Sequence, residues 1–132
     1  MKRALVTFTF ILIAMLAIPG ISRAETIKYY VTISDATCTP QPYTGKYIAE
    51  VWIEYNGNPI CETQIPNLIG GGVPNLIQYD CDFIQVKEQI YTIHVIVCRQ
   101  TIPQTCCSSN TPWGPMLPGD LTNGTQTVPV TI

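Results

Sequence analysis

Six cysteines, all between residues 38 and 107, constrain this chain more than any other feature. They are Cys38, Cys61, Cys81, Cys98, Cys106 and Cys107. An even number in a small domain reads as a disulfide framework if the chain leaves the reducing cytosol. Zinc is the rival use of clustered thiols, but no Cys-x-x-Cys pair exists and the sole histidine, His94, has no ligand spacing to any cysteine. Six cysteines allow 15 connectivities, and spacing does not choose among them. Adjacent Cys106 and Cys107 are expected to bond to different partners, because a ring between neighbours is strained.

The N-terminus supplies the export that such a framework needs. Lys2 and Arg3 precede an uncharged, apolar run from Ala4 to about Ile21, and Ser22-Arg23-Ala24 then sets small residues at −3 and −1 before Glu25. That order predicts a signal peptide over 1–24, cleaved after Ala24. The run is just long enough for a membrane anchor, but Pro19-Gly20 breaks the helix that an anchor would continue. No cysteine stands at the cleavage site for a lipoprotein, and Gly20 follows the apolar run where a pilin's processing glycine precedes it. The expected location is secreted, periplasmic or cell-surface, with one domain over 25–132.

Processing changes the charge. From Glu25 onward four basic residues (Lys28, Lys46, Lys87, Arg99) face nine acidic ones. A chain this acidic is a poor partner for nucleic acid and for anionic lipid.

The pattern after Glu25 is β throughout. Ile27, Tyr29, Val31 and Ile33 alternate with polar neighbours, as do Tyr47, Ala49, Val51, Ile53 and Tyr55. Asn56-Gly57 suits a tight hairpin turn before a return strand over 59–65. Pro-Asn-Leu-Ile occurs twice, at 66–69 and 74–77, around Gly70–Gly72. The glycines predict a bend, and the second copy leads into a strand that ends near Asp82. Residues 89–100 carry apolar groups on both faces, as a central strand does. Residues 101–123, rich in Pro, Gly, Ser and Cys, read as a long aperiodic loop pinned by Cys106 and Cys107. Thr125–Ile132 alternates again and holds Pro129, which marks an edge strand. The fold expected is a two-layer antiparallel β-sandwich of immunoglobulin-, transthyretin- or C2-like order, stabilised by disulfides and preceded by a signal-peptide helix.

Chemistry is sparse. His94 is mid-strand, so a Cys-His hydrolase lacks support, and no Gly-x-Ser-x-Gly elbow exists. Asp80 and Asp82 share a strand face and could join Asp35 around a calcium ion, though paired acids are ordinary on a wet face. Glu50 and Glu54 look like such a face rather than a glycosidase pair. Gly70–Gly72 lacks the Lys-Ser/Thr of a phosphate loop, and no cofactor is indicated. Asn123-Gly124-Thr125 fits the N-glycosylation pattern. Leu68, Ile69, Leu76, Ile77, Trp113, Met116 and Leu117 are apolar groups expected in loops, where they either form a contact patch or cap the open ends of the sandwich.

These features favour an exported, non-enzymatic β-sandwich that acts by binding or assembly. It would be a surface-filament or adhesion subunit, or an extracellular interaction module, with a protein partner or a second copy meeting the edge strand 125–132. The alternatives are a secreted inhibitor or effector that presents 101–123, and a calcium-dependent binder built on Asp35, Asp80 and Asp82.

Overall fold

The computed structural model describes residues 23–83 and 89–132. The expected signal peptide lies outside them, except for Arg23 and Ala24, which open the first strand. The strands are β1 (Arg23–Ser34), β2 (Tyr47–Tyr55), β3 (Asn58–Leu68), β4 (Asn75–Phe83), β5 (Tyr91–Arg99), β6 (Thr111–Met116) and β7 (Thr127–Thr131), with a short helix α1 (Pro118–Thr122) between the last two. They form two sheets, β4-β1-β7 and β3-β2-β5-β6. Pairing is antiparallel except between β1 and β7, which run parallel. Among the described residues, no helix is long and apolar enough to cross a membrane.

The period-two rows become the core. Ile27, Tyr29, Val31 and Ile33 of β1 face Ala49, Val51 and Ile53 of β2 and Ile93, Val95 and Val97 of β5 across the sandwich, and each is fully buried. Each Val or Ile among them contributes about 1.5–3 kcal/mol relative to exposure. The row on β2 and the rows on both faces of β5 explain why β5 is central: it pairs with β2 on one side and β6 on the other. The strand order excludes the immunoglobulin arrangement, in which the first, second, fourth and fifth strands share a sheet. Here β1 and β4 lie in one sheet and β2 and β5 in the other.

The turn after β2 follows from its residues. Asn56 (φ 51°) and Gly57 (φ 77°) are both left-handed, as a two-residue hairpin turn with the twist of its strands demands. The repeat is used twice, in opposite senses. Leu68 is buried and Ile69 exposed at the end of β3, whereas Leu76 is exposed and Ile77 buried at the start of β4. Asn75 holds the bend between them. Its Nδ2 donates to the carbonyls of Ile69 (2.8 Å), Val31 (3.1 Å) and Val73 (3.1 Å), and its Oδ1 accepts from Ile69 N–H (2.7 Å).

Residues 101–123 depart from the loop expected there. Residues 106–108 first run beside β5, with Arg99 N–H donating to Cys106 O and Ser108 N–H to Val97 O. The chain then continues as β6, pairing Val95 with Thr111 and Tyr91 with Met116. Prolines hid this strand, and an edge strand tolerates them. The ladder slips by one residue at Gly114 (φ 148°), where a Cβ would sit 3.0 Å from Tyr91 O. Only glycine lets the backbones approach so closely. α1 follows, with Pro118 in its first turn and the Asp120 carboxylate accepting from Leu117 N–H at 3.1 Å.

Three disulfides close the framework: Cys38–Cys106, Cys61–Cys81 and Cys98–Cys107. The first ties the 35–46 loop to the segment beside β5. The second joins the β3 and β4 edges of the two sheets, and the third crosses from β5 to its neighbour. Such a set fits an oxidising, extracellular environment.

Candidate interaction surfaces

The acidic trio is not brought together. Asp80 lies opposite Thr26 near the start of β1 and accepts from its Oγ1 at 3.0 Å. Asp35 follows the end of the same strand, nine residues on, about 30 Å away along extended chain. Asp82 does share the exposed face with Asp80, as the alternation required. Among the described residues no three His, Cys, Asp or Glu side chains gather as a metal site.

Asp35 is instead committed to an ion pair. Arg99 Nε sits 2.7 Å from Asp35 Oδ2, with each side chain only 4% exposed. Tyr47 OH donates to the same oxygen at 2.9 Å, and Gln41 Nε2 donates to Oδ1 at 2.9 Å. The Arg99 guanidinium also donates to Cys38 O at 3.0 Å and stacks 4.3 Å above the Tyr43 ring. Arg99's hydrogen bond holds the Asp35 carboxyl below its ordinary range against the effect of desolvation. Burial, then the bond to Asp35, pushes the Tyr47 phenol up to about 12. This group fastens the loop 35–46 over the end of the four-stranded sheet.

His94 is also held rather than poised. Its ring stacks on Trp52 at 5.1 Å and its Nδ1 lies 2.9 Å from Asn110 Nδ2. Nε2 is 3.1 Å from Glu54 Oε2, an ion-pair distance without the alignment of a hydrogen bond. All six cysteines are paired, so no thiol is left for the histidine to activate. Glu50 points the same way as Glu54. The hydrogen bond and charge of Glu62 on β3, with some desolvation, raise its carboxyl above the ordinary value.

The apolar residues divide in two. Leu68, Ile77 and Met116 belong to the buried core, as the capping alternative has it, and Met116 also lines the concavities beside α1. Ile69, Leu76 and Leu117 are exposed, and Trp113 is half-buried against the core. Trp113, Met116 and Leu117 come together where β6 turns into α1. Two concavities there, about 280 Å³ and 330 Å³, share Pro115, Met116 and Asp120. Trp113 and Gln126 line one, and Ile90 and Leu117 line the other. Trp113 Nε1 donates to Gln126 Oε1 at 3.4 Å across the first. Ile90, Asp120 and Gln126 were not singled out in the sequence. Ile90 alone carried a signal, as an apolar residue just ahead of a central strand on the face turned from the core.

β7 is an edge strand, as Pro129 implied. Tyr30 N–H donates to Gln126 O and Ile132 N–H to Ser34 O. The even-numbered residues of β7 therefore face β1, and Thr127, Pro129 and Thr131 turn their backbone groups outward. The centre of that outward row is the one residue without a donor. Asn123 is exposed just after α1, and its Oδ1 accepts from the Thr125 hydroxyl at 2.7 Å. No family model, curated protein or solved structure matches this chain.

Proposed function

We propose that the chain is an exported binding module whose contact with a partner protein is made at the groove between β6 and α1. The observation that carries the reading is the pair of adjoining concavities, one of them rimmed by Ile90 at 56% and Leu117 at 50% exposure. Two large aliphatic groups held in water beside a half-buried tryptophan favour an apolar occupant. Among the described residues Asp120 is the single charge in the lining, and one of its oxygens accepts from Leu117 N–H. The groove is formed by β6, the turn into α1 and the residue before β5, and Cys98–Cys107 anchors the approach to it. A rigid scaffold lowers the ordering cost of binding. Export fits the disulfides and the signal-like N-terminus. A surface subunit, an interaction module and an inhibitor would all use such a site.

Selection of a displayed random peptide library on the immobilised protein tests the reading. Peptides with an aliphatic or aromatic anchor are expected to enrich. Their binding should be lost with Leu117→Glu and with Ile90→Glu, while both variants melt as wild type does. Failure of any peptide to enrich, or equal binding to wild type and both variants, would overturn it.

A further inference from the structure

The backbone of β4 offers a second contact surface, independent of the groove. On β1, Tyr30 and Ser34 bond to β7, so the even-numbered residues of that strand face β7 and the odd-numbered ones face β4. Two bonds on the β4 side agree: Gly72 N–H donates to Ile33 O at 3.0 Å, and Asn75 Nδ2 to Val31 O at 3.1 Å. The β1–β4 register runs without a slip from Arg23↔Phe83 to Val31↔Asn75. The odd-numbered residues of β4 therefore carry the ladder. Leu76, Gln78, Asp80 and Asp82 turn their N–H and C=O groups away from it, and β4 ends its sheet among the described residues.

Sheet edges are normally guarded against strand addition by prolines, bulges, irregularity and charged side chains. Three of the four edges among the described residues carry prolines or an irregular backbone. β7 has Pro129 at the centre of its outward row. β6 has Pro112, Gly114 and Pro115 with a slipped register. β3 has Pro59, Pro66 and two register breaks, at which Cys61 (φ 56°) and Asn67 (φ 64°) are left-handed. β4 alone is regular and free of proline.

The side chains on this row state what would pair with it. Leu76 is 44% exposed, and Asp80 and Asp82 are exposed two positions apart. Lys28 is the one basic residue on the same sheet face among the described residues. Its stem packs on Gly124, on the β7 side, and among the described residues neither carboxylate forms an ion pair. A second copy is the wrong occupant. The two-fold register that pairs all four residues sets Leu76 against Asp82 and Gln78 against Asp80. Each Asp80 then lies diagonal to its own copy, within an already acidic protein, and no cation among the described residues answers either carboxylate.

We propose that β4 accepts an extended segment of a partner protein by strand addition, and that this segment alternates, with Lys or Arg opposite Asp80 and Asp82 and an aliphatic residue opposite Leu76. Backbone bonds to the four outward residues give the binding, and the cross-strand charges give the selection.

The test uses the signal-free protein and fluorescent alternating Lys-Val peptides the length of β4. Three probes are compared: the Lys-Val peptide, its Glu-Val counterpart, and a Lys-Val peptide N-methylated at alternate amides. The Lys-Val peptide is expected to bind and to slow amide exchange at Leu76, Gln78, Asp80 and Asp82. The Glu-Val peptide should bind at least about tenfold more weakly, and the N-methylated peptide should not bind. Gln78→Pro, which removes an outward donor and no ladder bond, should abolish binding with little change in melting temperature. If the N-methylated peptide binds as well as its parent, the attraction is only electrostatic and strand addition is overturned whether or not Gln78→Pro folds. Equal binding of the Lys-Val and Glu-Val peptides overturns the basic partner and leaves the edge itself standing. No binding by any peptide overturns both, without touching the groove.

Discussion

Arg99 and Asp35, 64 residues apart in sequence, meet through a 2.7 Å contact between Nε and Oδ2 beneath the 35–46 loop. Removing either partner would strand a charge among Tyr43, Tyr47 and the Cys38 carbonyl, where water is excluded. The pair also sets a pH dependence. Because the folded protein holds the Asp35 carboxyl below its ordinary value of 3.8, the stabilisation is complete above that value. It is lost as pH falls through the lowered folded value. Asp35→Asn should therefore melt below wild type at pH 7, with the two curves converging in acid. Thermal melts from about pH 7 down to pH 2 check this. Curves that stay parallel would sink it.

The repeated Pro-Asn-Leu-Ile is one motif in two environments, and mutation should separate them. Ile77→Ala opens a hole in a fully buried site and should cost about 2–5 kcal/mol. Leu76→Ala, one residue earlier on the exposed row, should fall within about 0.5 kcal/mol of wild type. Asn75→Asp replaces a donor that serves three carbonyls with an oxygen that repels them, at about 1–3 kcal/mol. Denaturant unfolding of the three variants gives the ranking. Equal losses for Leu76→Ala and Ile77→Ala would contradict the facing described above.

Strands whose side chains alternate were readable from the sequence because burial on one face imposes the alternation directly. Ile27 to Ile33, Tyr47 to Ile53 and Tyr91 to Val97 all point as their spacing required. β6 was not readable. Pro112, Gly114 and Pro115 are poor strand formers, and only pairing with β5 gives them an extended course. The same override kept Met116 from being recognised as core. The groove was half visible: Trp113 and Leu117 stand out as large apolar groups in a proline-rich segment, but their meeting with Ile90 is a product of the β5–β6 register. Asp35 was noticed for its charge and assigned to the wrong neighbours, since nothing local ties it to Arg99. The free edge of β4 needed the ladder itself, because hydrogen-bond direction leaves no trace in composition.

The three disulfides should differ in worth. In the chain-entropy account, a bridge stabilises by restricting the unfolded chain, more so for a longer loop. The separations are 68, 20 and 9 residues for Cys38–Cys106, Cys61–Cys81 and Cys98–Cys107. That scaling gives about 4.4, 3.3 and 2.6 kcal/mol in turn. Replacing each pair by alanine, and measuring unfolding of the three proteins, should reproduce the order. The bridge next to the Arg99–Asp35 pair would then be the one the fold can least do without. A Cys98/Cys107 double variant less stable than the Cys38/Cys106 one would show that the local ladder at residues 97–108 depends on its bridge.

Pro129 is placed to keep β7 from templating another strand. It fills the central outward position, between Thr127 and Thr131, and costs β1 no hydrogen bond, since Val128 and Val130 carry that ladder. Pro129→Val supplies the missing donor and a side chain suited to a strand. The variant should fold with the same sheet order and self-associate at concentrations where wild type does not, in sedimentation velocity runs over a concentration series. Truncating the strand would be a poorer probe, because Val128, Val130 and Ile132 are buried and their loss would open the core. If Pro129→Val sediments as wild type does at every concentration, the proline guards nothing and the edge is protected by some other feature of its surroundings.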